Sequence, residues 1–371
     1  MNSYRLKRFE AFSIVLTILI SSILLGLPNT LINATGSATL LNIVFITILM
    51  LIIFLVINKI FVHFPGYNII DICEFLGGKP LKILYSVCFI SFVILLISMR
   101  LSTFVKGLSL IYFSHLNIPL IILAVICVIG ILNFLGFKSI CRATLIWLPL
   151  MIFSICFLYF SSLKHYTFQQ VFPILGFGIK ETFWDGLINF SGYGCIYILF
   201  FIFSMLENVS DFKKVGITSI FFYALLMILV VSALMFSFPQ ISSSSTPISL
   251  YLLARQITLG DYIQSIDALF LLVWIPFLLI YSALNFSLIL NSFKQITNIK
   301  YPASMIYAFC SIIFVITAIL SNMSDLELIN NILYKYITLG FFIIFSISIL
   351  IMAGIKKIII KLFKKEISHN V

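Results

Sequence analysis

Long stretches of the sequence carry no formal charge, and their lengths predict membrane-spanning helices. No residue between Glu10 and Lys59 is charged. A helix needs about 20 apolar residues to cross roughly 30 Å of hydrocarbon, so two spans fit there, divided near residues 33–37. The later charge-free runs cover residues 83–99, 107–137, 143–163, 186–206, 215–254, 268–293, 301–324 and 336–355.

These runs predict ten transmembrane helices in one domain that covers residues 1–371. The runs are too long and too continuous for the roughly ten-residue alternating strands of a membrane barrel. The predicted fold class is therefore an all-α polytopic membrane protein. The expected spans are about 11–34, 38–58, 82–112, 118–134, 143–163, 186–206, 214–238, 263–292, 302–322 and 333–355.

Composition supports a membrane protein and excludes a soluble one. Hydrophobic residues make up 62% of the chain and charged residues 9%, whereas about 25% of a soluble domain is charged. The first apolar run follows basic residues as a secretory signal does. It is longer than a signal core and nine further spans follow, so we expect it to be retained.

The net charge of +11 reflects topology. With the N-terminus inside, seventeen Lys and Arg residues fall on the inner side and six on the outer side. This bias predicts an even number of spans and two cytoplasmic termini. Nucleic acid is not an expected partner. The basic tail, residues 356–371, is expected to meet anionic lipid head groups.

Two spans contain helix-breaking residues at corresponding positions. The first contains Gly26-Leu27-Pro28-Asn29 and the sixth contains Ser191-Gly192-Tyr193-Gly194. Interrupted first helices in two five-helix halves point to a transporter substrate site. The freed N–H groups can bind a carboxylate and the freed carbonyls a cation or ammonium. Alternatively, these residues only kink the helices or let them pack closely.

Candidate ligand contacts follow from the two interruptions. Backbone contacts are expected at Gly26, Pro28, Ser191, Gly192 and Gly194. Depth in the membrane adds three candidate side chains, which are Ser98, Thr103 and Ser282.

Charged side chains near the predicted site are few. Neither interruption contains one, which favours a small zwitterion or a neutral polar solute. Arg100 in the third span is the nearest candidate counter-ion, although its side chain could instead extend outward to the head groups. Asp267, near the outer start of the eighth span, could gate the site, pair with Arg255 or lie in the interface.

The loops add two expectations and no catalytic chemistry. A short amphipathic helix, capped by Asn68 and closed by glycine, is expected at the inner surface. An outer loop at residues 239–262 could act as a lid. Seven scattered cysteines show no metal-ligand spacing, and the sequence has no phosphate loop or nucleophile elbow. We therefore expect neither an enzyme nor a bound metal or cofactor.

Several short motifs, taken in order, resemble the spore-germination permease family. The resemblance covers nearly the whole chain, and its most distinctive block is the last. The motifs are LGLP at 25–28, FPGYNII at 64–70, FPILGFGI at 172–179, LYLLARQI at 250–257, and GDYI at 260–263 followed by IDALF at 266–270 and WI at 274–275.

The resemblance implies a fold, a function and partners. The fold would be leucine-transporter-like, with two inverted five-helix repeats at about 11–163 and 186–355 and broken helices 1 and 6. The family comprises B subunits of nutrient germinant receptors in the inner membrane of bacterial endospores. Their ligand is usually an amino acid, and their partners are an A subunit and a lipoprotein C subunit.

The sequence departs from the family pattern at three places, which bear on ligand specificity. Ser37 follows Gly36 where an acidic-aromatic patch is common. Cys195 follows Gly194 where Glu is common, and Ser265 stands where many members have Arg.

Three functions remain open from the sequence. The leading hypothesis is a germinant-receptor B subunit that binds a small nutrient and signals by a conformational change. The second is an ion-coupled amino acid transporter, which would need the same two-state site. The third is a permease fold that serves only as a scaffold for partner subunits.

Overall fold

The computed structural model describes residues 5–24, 26–62, 64, 66–113, 115–238, 249–257, 266–297 and 303–323, with 336–338, 340–341 and 347. Every regular element in these ranges is a helix. A lone parallel bridge joins Leu6 to Leu206. The α-helices are α1 Arg8–Leu24, α2 Leu27–Thr35, α3 Thr39–Phe61, α4 Ile69–Ile111, α5 Ile118–Phe134, α6 Phe137–Ser161, α7 Ile179–Phe183, α8 Leu199–Met205, α9 Asp211–Ser237, α10 Ser249–Gln256, α11 Asp267–Thr297 and α12 Ala303–Ser321.

Seven helical segments in the described part of the chain are long and apolar enough to cross a membrane, so the protein is an integral membrane protein. Two helices of 17 residues, α1 and α5, fall just short of this length. The predicted tenth span lies almost wholly outside the described residues. The seven segments are Leu27–Lys59, Ile69–Ile111, Phe137–His165, Ile179–Met205, Asp211–Ser237, Asp267–Thr297 and Ser304–Ser321.

Three further expectations fall largely on residues that the structure does not describe. The outer loop at 239–262 is described only at 249–257, where α10 forms. The GDYI motif at 260–263 and the basic tail at 356–371 lie outside the described residues.

Gly26 separates α1 from α2. Its backbone is left-handed, with φ 90° and ψ 0°, a conformation that glycine adopts without the steric cost of a β-carbon. Pro28 lies in the first turn of α2, where its missing N–H has no helical partner to lose. The chain therefore leaves the first helix at Leu24 and starts a new one at Leu27.

The N-terminal part of α4 has the predicted cap. The Asn68 side chain accepts a hydrogen bond from the Asp71 N–H at 2.9 Å, and Asp71 accepts one from the Asn68 N–H at 3.2 Å. Gly78, with φ 74° and ψ −170°, then interrupts the helix. The short helix capped by Asn68 and closed by glycine is confirmed.

The sixth predicted span begins as a 3₁₀ helix, Asp185–Ile198, and continues as α8. Runs of this type longer than three or four residues are uncommon, because their hydrogen-bond geometry is poorer than that of an α-helix. Ser191 to Gly194 lie inside this segment. The residues expected to break the helix therefore lie in a tighter helix that rises about 2.0 Å per residue.

Helix α1 lies at the centre of the molecule. Residues 13–24 are all buried, and α1 packs against α6, α9, α11 and the 3₁₀ helix. By contrast, Val44, Ile48 and Ile52 on α3 are about half exposed, as expected for side chains that face lipid. The interruption at Gly26 is therefore inside the protein.

Helices α3 and α9 approach closely at Gly216. A β-carbon there would lie 2.0 Å from Phe54 Cζ. Phe54 cannot move away easily, because it is buried and its ring packs on Phe212 with centroids 5.6 Å apart. Close helix approach at small residues is a common mode of packing in membranes.

Gly216→Ala is expected to lower stability by about 1–3 kcal/mol through overpacking. Thermal unfolding of the purified protein in detergent measures this loss. The double variant G216A/F54L should recover part of it, since the shorter side chain makes room for the methyl group. Additive losses in the double variant would contradict the proposed clash.

Candidate functional site

A small cavity lies between α2, which follows the interruption at Gly26, and the 3₁₀ helix. Its volume is about 10 Å³, far below the roughly 300–1,000 Å³ of usual ligand pockets. The walls would have to separate before a solute of amino acid size could enter. The lining residues are Leu27 and Leu31 of α2, Ile43 and Ile46 of α3, Asn189, Gly192 and Tyr193 of the 3₁₀ helix, and Tyr223 and Met227 of α9.

Tyr223 of α9 links the end of α1 to the 3₁₀ helix. Its hydroxyl is 2.8 Å from Ser22 Oγ near the end of α1, and it donates to the Gly192 carbonyl at 3.2 Å. The side chain is fully buried. If either segment shifted relative to α9, one of the two hydrogen bonds of Tyr223 would be disturbed. The sequence analysis did not identify Tyr223, since one tyrosine in an apolar span carries no distinguishing pattern.

A second tyrosine extends this link to α3. The Tyr193 ring meets that of Tyr223 edge to face, with centroids 4.8 Å apart. The Tyr193 hydroxyl is 2.6 Å from Thr47 Oγ1. Three elements, α3, α9 and the 3₁₀ helix, thus meet at one pair of aromatic rings. Edge-to-face pairs of this kind contribute about 0.5–1.5 kcal/mol beyond their buried area.

Two asparagines connect α3 to the 3₁₀ helix beside the cavity. Asn42 of α3 donates to the Thr182 carbonyl at 2.7 Å and accepts from Asn189 Nδ2 at 3.1 Å. Earlier in the chain, Ser37 donates to the Pro173 carbonyl. The motif at 172–179 therefore packs over the turn between α2 and α3.

Two of the predicted glycines sit where no side chain fits. A β-carbon at Gly192 would lie 2.5 Å from Leu27 Cδ2 and 3.1 Å from the Tyr223 hydroxyl. At Gly194 it would lie 2.8 Å from Thr338 Cβ. Close packing thus accounts for both glycines in this conformation. At Gly192 the packing brings α2 directly against the 3₁₀ helix.

The predicted serines are buried hydroxyls. Ser98, Ser191 and Ser282 each have an Oγ with no hydrogen-bond partner among the described residues, and all three are at most 1% exposed. Leaving a buried hydroxyl unpaired costs about 1–3 kcal/mol, so such groups usually meet a water or a ligand. Thr103 differs, because it is partly exposed and donates to the Met99 carbonyl at 3.1 Å.

Arg100 is directed into the protein. Its side chain is 6% exposed, so the outward extension considered from the sequence is not observed. An ionisable residue inside a membrane protein usually marks a functional pathway or site.

Asp267 lies at the start of α11 and accepts a hydrogen bond from the Tyr112 hydroxyl at 3.0 Å. Burial, reinforced by this carboxylate, raises the pKa of Tyr112 above its usual range. The hydrogen bond connects the C-terminal end of α4 to the start of α11.

No group of three His, Cys, Asp or Glu residues that could hold a metal occurs in the described ranges. The seven cysteines are all free thiols. The polar groups around the cavity are tyrosine hydroxyls, the Gly192 carbonyl and asparagine amides. This set is suited to binding a solute by hydrogen bonds.

The fold is leucine-transporter-like. The chain is similar to a Na⁺-coupled sialic acid symporter solved in a substrate-bound, outward-open state, with a TM-score of 0.63 and 12% sequence identity. The alignment covers 95% of this chain and 77% of the symporter. The family model "Spore germination protein" matches residues 5–326. The chain therefore belongs to the spore germination permease family, as the sequence motifs predicted. No protein of curated function matches it.

Proposed function

We propose that the protein is the nutrient-sensing B subunit of a spore germinant receptor. It binds a small nutrient, an amino acid, between the α1/α2 interruption and the 3₁₀ helix, and it signals by a conformational change. The observation that carries this proposal is the Tyr223 bridge, because one buried hydroxyl joins Ser22 to the Gly192 carbonyl. Membership of the spore germination family supports the biological setting.

The proposed architecture has ten transmembrane helices in two inverted repeats. Repeat one covers about 11–163 and repeat two about 186–355, in a single domain with helices 1 and 6 broken. Both termini lie in the cytoplasm, and the basic tail at 356–371 contacts lipid. The seven long apolar segments and the symporter-like fold support this arrangement.

The proposed ligand contacts combine backbone and side-chain groups. Gly26, Pro28, Ser191, Gly192 and Gly194 place backbone around the ligand, and Ser98, Thr103 and Ser282 add hydroxyls. The first turn of α2 offers N–H groups at the positive end of a helix dipole. The last turn of α1 offers carbonyls.

Signalling follows from the small volume of the cavity. Since a cavity of about 10 Å³ is too small for an amino acid, binding requires α2 and the 3₁₀ helix to move apart. Such a movement changes the population of two states, as ligand-driven switching requires. The A and C receptor subunits in the inner spore membrane are the proposed recipients of this conformational signal.

The second candidate is an ion-coupled amino acid transporter. The similarity to a Na⁺-coupled symporter favours it, because transport and sensing use the same fold and site. The two functions differ in whether the bound solute crosses the membrane.

Two measurements on one protein separate these functions. Spores lacking the gene are expected to lose germination with the cognate amino acid and to regain it with the wild-type gene. Purified protein in sodium-loaded and proton-gradient proteoliposomes is expected to take up no labelled amino acid. Uptake that dissipates the gradient would establish the transporter, and normal germination of the deletion strain would contradict the receptor.

A further inference from the structure

The side-chain amides of Asn42 and Asn189 form a hydrogen-bonded chain whose direction is determined at one end. The chain starts at the Thr182 carbonyl, which can only accept, so the atom of Asn42 that lies 2.7 Å from it must be the amide nitrogen. The Asn42 oxygen then accepts from Asn189 Nδ2 at 3.1 Å. Asn189 Oδ1 therefore remains as the last acceptor of this chain.

Asn189 Oδ1 is a buried acceptor that needs a donor. Asn189 is 2% exposed, and its Oδ1 has no hydrogen-bond partner among the described residues. Leaving a buried acceptor unpaired is costly, so such an atom usually meets a water or a ligand. Asn189 lines the cavity between α2 and the 3₁₀ helix. A donor can therefore approach this residue through the cavity.

The other polar side chains in the cavity wall already have partners. The Tyr193 hydroxyl pairs with Thr47, and the Tyr223 hydroxyl pairs with Ser22 and with the Gly192 carbonyl. The rest of the wall is formed by the apolar side chains of Leu27, Leu31, Ile43, Ile46 and Met227. A solute that enters thus meets aliphatic surface and one unpaired side-chain acceptor.

This wall suits an uncharged donor better than a cation. None of the residues that line the cavity is charged. A buried ammonium without a paired anion carries a large desolvation cost, whereas a neutral hydroxyl or carboxamide needs only hydrogen bonds. The cavity volume of about 10 Å³ is close to the space that one water-sized group requires. The end of a short polar side chain matches this size.

We infer that Asn189 is a specificity-determining residue of the nutrient site and accepts a hydrogen bond from a neutral donor at the end of the nutrient's side chain. This inference rests on the proposed function and narrows the nutrient to amino acids with a hydroxyl or carboxamide side chain. The ammonium and carboxylate groups of the nutrient bind at the backbone of the two interruptions. Its side chain extends along the aliphatic wall to Asn189.

The test compares pairs of amino acids of similar shape on the full-length protein in lipid nanodiscs. All standard amino acids are screened by thermal stabilisation, and titration calorimetry then compares threonine with valine and asparagine with leucine. In the pair that binds better, the wild type is expected to bind the polar member at least about tenfold more tightly. A site that hydrogen-bonds a polar group rejects the analogue that lacks it, because its own polar atom is then left unpaired. This comparison needs no variant.

Asn189→Leu should reverse the preference, so that valine binds more tightly than threonine and leucine more tightly than asparagine. The variant replaces the acceptor by an aliphatic side chain of similar size. Asn133→Leu is the matched control, because it removes a buried amide from α5, where Asn133 donates to the carbonyls of Ile129 and Ala283. N133L should keep the wild-type preference.

Three results would overturn the inference. Equal binding within both pairs, or binding of other amino acids only, would refute it while leaving nutrient binding intact. An unchanged preference in N189L would show that a buried water is the only partner of Asn189 Oδ1. If no amino acid bound the wild type, the proposed function would fail together with this inference.

Discussion

Spores that carry Gly192→Leu are expected to lose their response to nutrient, although the protein still reaches the membrane. A leucine side chain must pass the Leu27 methyl group, which lies 2.5 Å from the position of the first added carbon. It also presses on the Tyr223 hydroxyl at 3.1 Å. Overpacking of this kind costs about 1–3 kcal/mol. The added side chain would fill the space between α2 and the 3₁₀ helix.

Germination is measured by the loss of optical density after addition of the cognate amino acid, and membrane delivery by immunoblotting of spore membranes. Gly192→Ala should show an intermediate loss, because its single methyl group meets the same atoms. Gly130→Ala is the matched control, since a β-carbon there makes an ordinary contact of 3.5 Å with Cys310. Normal germination of G192L spores would remove this position from the site.

Gly26→Val is expected to abolish nutrient binding by a different route. Gly26 holds φ 90° between α1 and α2. A β-carbon in this left-handed region costs roughly 1–2 kcal/mol, and a β-branched side chain costs more. The variant should favour a straighter connection between α1 and α2. The carbonyls and N–H groups freed by the interruption would then pair within the helix and would not be available to a ligand.

Ligand-induced thermal stabilisation of purified G26V is expected to vanish, and G26A should lie between it and wild type. Gly66→Ala separates backbone strain from loss of the site. Gly66 also has positive φ, 81°, but a β-carbon there meets no atom within 4 Å. G66A should therefore lose some stability and keep its ligand response. If G66A and G26A lost the response equally, strain alone would explain the effect.

The span positions could be predicted because the membrane imposes a simple rule on each segment. About 20 consecutive residues must carry apolar side chains, and charged residues must lie outside the hydrocarbon layer. The predicted fourth span, 118–134, coincides with α5. The eighth differs more, since α11 runs from Asp267 to Thr297. Here helical hydrogen bonding continues past the end of the charge-free run at residue 293, where hydropathy no longer determines the structure.

For the proposed site, the sequence could predict backbone positions but not the side chains that connect the helices. Glycine and proline favour or impose backbone conformations that differ from those of other residues. Gly26 and Pro28 therefore indicate a helix interruption from the sequence alone. Tyr223, Tyr193 and Asn42 are ordinary residues within apolar helices. Their polar atoms meet only because segments distant in the sequence pack together. No local sequence pattern predicts such contacts.

The sequence by itself determined that this is an all-α membrane protein of the spore germination permease family, since composition, charge spacing and short motifs are local properties. Only the tertiary structure decided where Arg100 lies. From the sequence it could reach the head groups or a ligand. The packing of α4 against α11 and α12, which are distant in the sequence, leaves Arg100 only 6% exposed. Burial of this kind depends on which helices meet, and the local sequence does not contain that information.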